Sequence, residues 1–258
     1  MTVYKCDGEH KDWSPEEQAC DFALVLVRSG AFRRRIDGIE TLAEPLVAYL
    51  ERPGSVYQVA HPRGGDICTA IGLSETTIDS IIDPSQVPSG SLLHIKPAED
   101  LAHRLLLMRL RGRAEQDELL ERTFALAGGL LRKQALQPDV CSVPTSLRRI
   151  ADQVREALSD QPNLNLQELA DLLGLSIYYV SRAFRSATGL TVSQYRLSVR
   201  AKLAMDRMES GESNLAALAI ECGFSDQPHM TRTLRRETEL TPFRLLKTLA
   251  RKATDGPN

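Results

Sequence analysis

Arginine and hydroxyl side chains stand at matching places in two segments of the C-terminal half of the sequence. Ser181-Arg182 corresponds to Thr231-Arg232, 50 residues later, and Arg185 corresponds to Arg235. A guanidinium group can donate two parallel hydrogen bonds to guanine, or it can pair with a phosphate. Either contact requires an element that points these side chains in one direction, so the surrounding sequence must supply such an element.

Each of the two segments begins with the signals of a short helix and a turn. Residues 165–170 (NLQELA) recur 49 residues later as residues 214–219 (NLAALA). The asparagine that opens each segment is a helix-capping residue, and Glu168 can complete a capping box in the first segment. Gly174 and Gly223 then supply the left-handed residue that ends each short helix.

A second helix follows each turn. Ser176 and Ser225 are its predicted N-caps. A helix, a glycine turn and a capped helix form the helix-turn-helix pattern, whose second helix enters the major groove of DNA. Between the two copies an apolar stripe predicts a long connecting helix that ends near Gly211. The stripe consists of Leu197, Ala201, Ala204 and Met208.

These residues resemble the AraC/XylS family of transcription regulators over about residues 148–250. The resemblance is carried by Leu169-Ala170, Ser176, Ser181-Arg182, Phe184, residues 188–191, Arg200, Ala201, Ile220, residues 222–227, His229, Thr231-Arg232 and residues 240–242. It implies an all-α DNA-binding domain at residues 147–250. Within it we expect helix-turn-helix motifs at 166–187 and 215–238, joined by the long helix.

The resemblance also implies which side chains meet DNA. The residues expected to read base edges are Tyr178, Ser181 and Arg182 on the first recognition helix, and Gln227, His229, Thr231 and Arg232 on the second. The residues expected to hold phosphates are Arg185, Arg200, Arg235 and Arg236. The alternative for any arginine on a helix surface is simple solvation.

The second unit departs from the family pattern. Met230 and Leu234 stand where the family usually has phenylalanine. We therefore expect the core of the second unit to be filled by less bulky but still apolar side chains. Glu239 replaces a glycine and must therefore adopt positive φ. Pro228, third in the helix predicted to start after Ser225, falls in the first turn, where its missing N–H is tolerated.

The N-terminal part of the chain consists of short apolar runs separated by turn signals. The runs are residues 22–27, 31–36, 39–42, 56–60 and 67–73. Asp37-Gly38 between two of them predicts a hairpin with a type I′ turn. Such runs predict an antiparallel sandwich or barrel. Residues 30–35 and 61–66 resemble the cupin-type effector domain often fused to this family, so we expect a cupin or jelly-roll-like β-barrel sensor at residues 1–96.

Residues 97–137 have helical periodicity on both sides of Gly112. The apolar stripes are Leu101, Leu105 and Met108 before the break, and Leu120, Phe124, Ala127 and Leu131 after it. We expect a helical pair that either packs on its own barrel or forms the interface of a homodimer. Residues 138–146, with two prolines, are predicted to be a linker.

The sequence contains little that predicts catalysis. The five cysteines are scattered and lack a C-x-x-C pair, which favours reduced thiols in a cytoplasmic protein. His61 is followed by proline and arginine rather than by a second ligand, so no metal site, cofactor or enzymatic activity is expected. The two alternatives are a cupin-fold enzyme and a thiol or redox sensor built on Cys6, Cys20 and Cys68, each fused to a DNA-binding domain.

Three consecutive arginines occupy residues 33–35. The simpler interpretation is a charged strand edge that discourages strand addition, and the alternative is a binding site for an anionic effector.

The net charge is distributed unequally along the chain. It is −5 over residues 1–145 (16 Lys and Arg against 21 Asp and Glu) and +3 over residues 146–258 (16 against 13). The C-terminal half is modestly basic and the N-terminal half is acidic, which agrees with DNA binding by the C-terminal half.

The sequence thus predicts a bacterial, sequence-specific transcriptional regulator of α+β multidomain architecture that responds to a small-molecule effector. Its partners would be double-stranded promoter DNA, the effector, RNA polymerase if the protein is an activator, and a second copy if it dimerises. No apolar run approaches the length of about 18 residues that a membrane helix needs, so no membrane is expected among the partners.

Overall fold

The computed structural model describes residues 1–8, 11–83, 91–112, 114–135 and 143–249. The chain divides into two compact units. The N-terminal unit contains residues 1–95 and 116–148, and the C-terminal unit contains residues 96–115 and 149–258.

The described part of the N-terminal unit contains the strands β1 (Thr2–Cys6), β2 (Glu17–Gln18), β3 (Phe22–Ser29), β4 (Phe32–Ile36), β5 (Ile39–Ala43), β6 (Val47–Glu51), β7 (Val56–Ala60), β8 (Asp66–Leu73) and β9 (Leu93–His94). They form two antiparallel sheets, one with the order β1-β8-β3-β6-β9 and the other with the order β2-β7-β4-β5. The predicted antiparallel architecture is confirmed, whereas the closure of the sheets into a barrel stays a prediction.

The β4–β5 hairpin contains the turn that Asp37-Gly38 predicts. Asp37 and Gly38 both have positive φ, 49° and 77°, as a type I′ turn requires. Strand β4 alternates between buried and half-buried residues, so that Phe32, Arg34 and Ile36 point into the unit. The alternation places an arginine inside the unit, between two apolar residues.

Two helices belong to the N-terminal unit, α1 (Glu75–Ile81) and α3 (Gln116–Ala135). The second half of α3 buries Ala127, Leu130 and Leu131. The predicted stripe on this helix is buried only in part, since Leu120 and Phe124 are 47% and 46% exposed.

The C-terminal unit is helical. It contains α2 (Pro97–Leu110), most of α4 (Thr145–Asp160), α5 (Leu166–Leu173), α6 (Ile177–Thr188), α7 (Val192–Glu209), α8 (Leu215–Glu221), α9 (Gln227–Thr238) and α10 (Pro242–Leu249). Helix α7 is the predicted long connection, and Ala201, Ala204 and Met208 of its stripe are fully buried. None of the helices described here is long and apolar enough to cross a membrane.

The expected helical pair is divided between the units. Helix α2 lies in the C-terminal unit, where it packs on α7 and α9, whereas α3 lies in the N-terminal unit. The reason is that Leu101 of α2 enters the core formed by Ala201, Leu234 and their neighbours. The predicted linker 138–146 lies outside the described residues up to Ser142, and α4 begins at Thr145.

Candidate nucleic-acid interface

The first helix-turn-helix unit is built by the local signals of its sequence. Asn165 accepts hydrogen bonds from the backbone N–H groups of Gln167 and Glu168, at 2.8 and 3.1 Å. The Glu168 carboxylate accepts one from the Asn165 N–H at 2.7 Å, which completes the predicted capping box. Helix α5 ends at Gly174 with φ 63°, and Ser176 caps α6 through the N–H of Tyr179 at 3.2 Å.

Helix α6 has one buried and one exposed face. Val180, Ala183 and Phe184 are fully buried, and the Phe184 ring meets Tyr195 edge-on. The residues predicted to contact DNA lie on the remaining surface: Tyr178, Arg182 and Arg185 are exposed, and Ser181 is half-buried. Tyr178 is 74% exposed, so most of its aromatic side chain lies at the surface.

Helix α9 of the second unit starts one residue later than predicted. Its N-cap is Asp226 and not Ser225, because the Asp226 carboxylate accepts a hydrogen bond from the N–H of His229 at 2.6 Å. Pro228 is therefore the second residue of the helix and still lies in the first turn. Met230 and Leu234 are fully buried, as expected for apolar side chains that take the places of phenylalanines in the core.

The second recognition helix also presents most of its predicted residues to the surface. Gln227, Arg232, Arg235 and Arg236 are exposed, and His229 and Thr231 are half-buried. The His229 ring packs edge-on against Phe224, and its Nδ1 lies 3.1 Å from the Ser225 hydroxyl. His229 thus stabilises the start of α9, while Ser225, without capping the helix, orients the ring.

The two units repeat each other down to single hydrogen bonds. The Thr188 hydroxyl donates to the carbonyl of Phe184 at 2.7 Å, and the Thr238 hydroxyl donates to that of Leu234 at 2.6 Å. Each hydroxyl also accepts a bond from the backbone N–H two residues on, at 3.2 and 3.3 Å. Two helix-turn-helix units of the same construction are therefore present in one compact unit.

Comparison with known proteins agrees with this geometry. Residues 169–248 match a family model described as a helix-turn-helix domain. A segment of 113 residues, 44% of this chain, is 29% identical to the HTH-type transcriptional activator RhaS of Escherichia coli and covers 40% of that protein. The chain thus spans less than half the length of the curated relatives that it matches.

Solved structures were also matched. The chain is similar to ToxT from Vibrio cholerae, with 14% identity, a TM-score of 0.37, and 96% of this chain and 98% of ToxT covered. It is also similar to the C-terminal domain of AraT from Geobacillus stearothermophilus, with 20% identity, a TM-score of 0.39, and 45% and 97% covered.

The C-terminal unit therefore contains a helix-turn-helix domain, as the sequence predicts. We call this unit, residues 96–115 and 149–258, the AraC-type domain, after the family that the sequence resembles. The individual DNA-contacting residues stay predictions, since each is inferred from its position on α6 or α9.

Arg200 differs from the other arginines of the AraC-type domain. Its Nε donates to the carbonyl of Pro162 at 3.0 Å, and its Nη2 lies 3.5 Å from the Asn163 amide oxygen. Burial and the nearby Arg196 lower the pKa of Arg200. The side chain is used to hold the loop before α5, and Gly223 is required beside it because a Cβ there would overlap Asn163.

Sequence reasoning missed one part of the AraC-type domain. Arg104 of α2 donates hydrogen bonds to Asp100 at 2.8 Å, to Glu209 at 2.7 Å and to Asp206. Burial opposes its charge, but Asp100 and Asp206 raise the pKa of Arg104 above its ordinary value. No signal in the sequence links Arg104 to carboxylates more than 100 positions away, so this contact could not have been predicted.

Proposed function

We propose that this protein is a sequence-specific transcriptional regulator whose two recognition helices read DNA and whose N-terminal unit binds a small-molecule effector. The observation that supports DNA reading is the pair of matching units, each with an exposed arginine at the same place of its second helix. Arg182 and Arg232 both stand five residues after the first residue of α6 or α9, Ile177 or Gln227.

The chemistry of the exposed faces fits base recognition. Arg182 and Arg232 can bond bidentately to guanine, and Gln227 can do so to adenine. Arg185, Arg235 and Arg236 lie further along the same helices, where they would pair with phosphates and fix the register of the protein on the duplex. Like RhaS, which is described as an activator, this protein would contact RNA polymerase if it activates transcription.

The test begins with selection of binding sites from random DNA by the 258-residue chain. Fluorescence anisotropy on the selected site should then show that Arg182→Ala and Arg232→Ala each weaken binding by about 1–3 kcal/mol, because each removes a base contact. Each variant should also lose discrimination at its own base pairs while binding random DNA about as well as the wild type.

Arg122→Ala is the matched control. It removes the same charge from an exposed i,i+4 ion pair with Glu118 on α3, outside the AraC-type domain. We expect this control to bind DNA like the wild type. Unchanged affinity and unchanged sequence preference in both recognition-helix variants would contradict the assignment.

The observation that supports an effector is the environment of Arg34. Its side chain is 1% exposed, and none of its three guanidinium nitrogens has a hydrogen-bond partner among the described residues. The guanidinium stacks on the Tyr49 ring at 4.2 Å, and Glu51 is 3.9 Å away, beyond hydrogen-bonding distance. A buried charge with unused donors is costly unless something accepts its hydrogen bonds.

An anionic group on the effector would supply those acceptors. A carboxylate or a phosphate matches the planar donor pattern of a guanidinium and binds it through two parallel bonds. Burial raises the pKa of Glu51, and the nearby positive charge of Arg34 opposes that increase. Of the three adjacent arginines, Arg33 instead faces Glu40 at the surface, and Arg35 stacks on Trp13 at 4.0 Å.

Thermal denaturation of the 258-residue chain with a panel of small carboxylates and phosphate esters tests this proposal. An effective compound should raise the Tm of the wild type, because it binds the folded state. Arg34→Met should abolish that increase, because an apolar chain of similar length cannot bind an anion. The basal Tm of the variant is measured alongside, since the substitution also removes the positive charge that faces Glu51.

Arg33→Met is the control, and it should keep the ligand-induced increase. If an anionic compound stabilises the Arg34→Met protein as much as the wild type, Arg34 does not hold it.

A further inference from the structure

Three chemically reactive side chains meet at one end of the N-terminal unit. Cys6 is the last residue of β1, His61 follows β7, and Asp66 is the first residue of β8. Cys6 and Asp66 are directly opposite each other in the β1–β8 pairing, whereas His61 arrives from the other sheet. Cysteine, histidine and aspartate are the side chains that bind zinc-like ions in proteins.

The distances allow one ion to contact all three. One donor atom from each residue lies within 4.8 Å of the others. Cys6 Sγ is 3.8 Å from His61 Nδ1, and two such donors on a tetrahedral zinc ion stand about 3.6 Å apart. His61 Nε2 is 2.8 Å from Asp66 Oδ1. Because an imidazole binds one ion through a single nitrogen, this hydrogen bond would be exchanged for coordination when the ion binds.

The burial of these three side chains distinguishes the cluster from a chance grouping of exposed side chains on the surface. His61 and Asp66 are 4% and 7% exposed, and Cys6 is half-buried. The Cys68 thiol donates to the second carboxylate oxygen of Asp66 at 2.9 Å and thereby fixes its orientation. Partners of this kind, which orient a ligand without binding the ion themselves, are a regular part of metal sites.

Glycines hold the backbone segments close enough to form the cluster. A Cβ on Gly65 would overlap the carbonyl of Cys6, and a Cβ on Gly30 would overlap the carbonyl of Gly65. Gly8, just after Cys6, likewise lies against the Gly64–Gly65 backbone. The approach of β1 to the start of β8 is therefore built into the fold, which prepares the donors before any ion arrives.

We propose that Cys6, His61 and Asp66 bind one thiophilic divalent cation of the zinc type in the N-terminal unit. Three protein ligands leave one coordination position for water or a small ligand. The ion would tie the edge strand β1 to β7 and β8, and so link the two sheets. The site is separate from the recognition helices, and its occupancy is measured without DNA.

Titration of the reduced, chelator-treated 258-residue chain with Co²⁺ tests the proposal, because cobalt can replace zinc and, unlike zinc, absorbs visible light. We expect saturation at one equivalent, visible bands of a tetrahedral ion, and a near-ultraviolet charge-transfer band that requires a thiolate ligand. Addition of Zn²⁺ should remove these bands. Cys6→Ser should abolish the charge-transfer band and weaken binding by about tenfold or more.

Cys20→Ser is the matched control, since Cys20 is an exposed cysteine in the same unit and outside the cluster. It should titrate like the wild type. His61→Asn and Asp66→Asn should each weaken binding, and circular dichroism of the half-exposed Cys6→Ser variant checks that the fold is intact.

Three outcomes would overturn the proposal. They are a wild type without a saturable cobalt spectrum, a Cys6→Ser protein with an undiminished charge-transfer band, and an equal loss of the band in Cys20→Ser. If no cobalt binds but Cys6 reacts much faster than Cys20 with a thiol reagent, the cluster acts as a nucleophile with its base, and the metal site is likewise refuted.

Discussion

At the scale of single residues, the second helix-turn-helix unit tolerates an unusual residue after its recognition helix. Glu239 adopts φ 62°, where the first unit has Gly189 at φ 73°. The sequence predicted this conformation, and the structure confirms it. A non-glycine side chain in the left-handed region is strained, so the second unit is less stable at this point than the first.

Glu239→Gly should therefore stabilise the protein. The expected gain in the free energy of unfolding is up to about 1 kcal/mol, since relief of the left-handed strain exceeds the extra chain entropy of glycine. Chemical denaturation followed by far-ultraviolet circular dichroism measures it. Gly189→Ala, at the matching position, should change stability in the opposite direction, and a destabilised Glu239→Gly protein would disprove the strain argument.

At the scale of helices, α2 is the element whose partner could not be anticipated. It was expected beside α3, but it supplies Leu101 to the core of the AraC-type domain and Arg104 to the carboxylates of α7. Since α2 contacts α9 directly and belongs to the same compact unit, we expect a fragment that starts at residue 147 to lack part of the core of that unit.

Leu101→Ala should lower the stability of the C-terminal unit by about 2–4 kcal/mol, because it removes a 5% exposed side chain from a packed core. Leu110→Ala on the same helix is the control. Its side chain is 42% exposed, so its effect should stay within about 0.5 kcal/mol. Equal unfolding midpoints for the two variants in guanidinium would show that α2 does not pack as described.

At the scale of the whole molecule, the charge of the C-terminal half bears on how the proposed DNA binding should depend on salt. The +3 charge of residues 146–258 is small, so we expect the affinity to come from the arginines of α6 and α9 rather than from a basic surface. Release of counterions from each neutralised phosphate makes the affinity decrease with salt.

Removal of one phosphate contact should reduce that dependence. Arg185→Ala, Arg235→Ala and Arg236→Ala should each lower the slope of log affinity against log salt by about 0.9, with the base preference unchanged. Arg200→Ala, whose guanidinium holds the loop at Pro162, should instead change protein stability and leave the slope nearly as it is. Anisotropy titrations at several salt concentrations, together with thermal denaturation, separate the two effects.

The sequence by itself determined the helix-turn-helix units and the β4–β5 hairpin. Their signals are local: a cap such as Asn165, a glycine at the end of a helix, and an apolar stripe act within a few residues of each other. The alternation of β4 was also present in the sequence, but without the partner sheet it did not reveal that Arg34 points inward.

Only the tertiary structure decided which distant segments meet. The Cys6–His61 contact joins residues 55 positions apart, and Arg104 reaches Glu209 across 105 positions. Strand β1 buries little of its surface, and its position depends on pairing with β8 and on the close approach at Gly65. Such contacts follow from the packing of the complete unit, because no short stretch of sequence contains both partners.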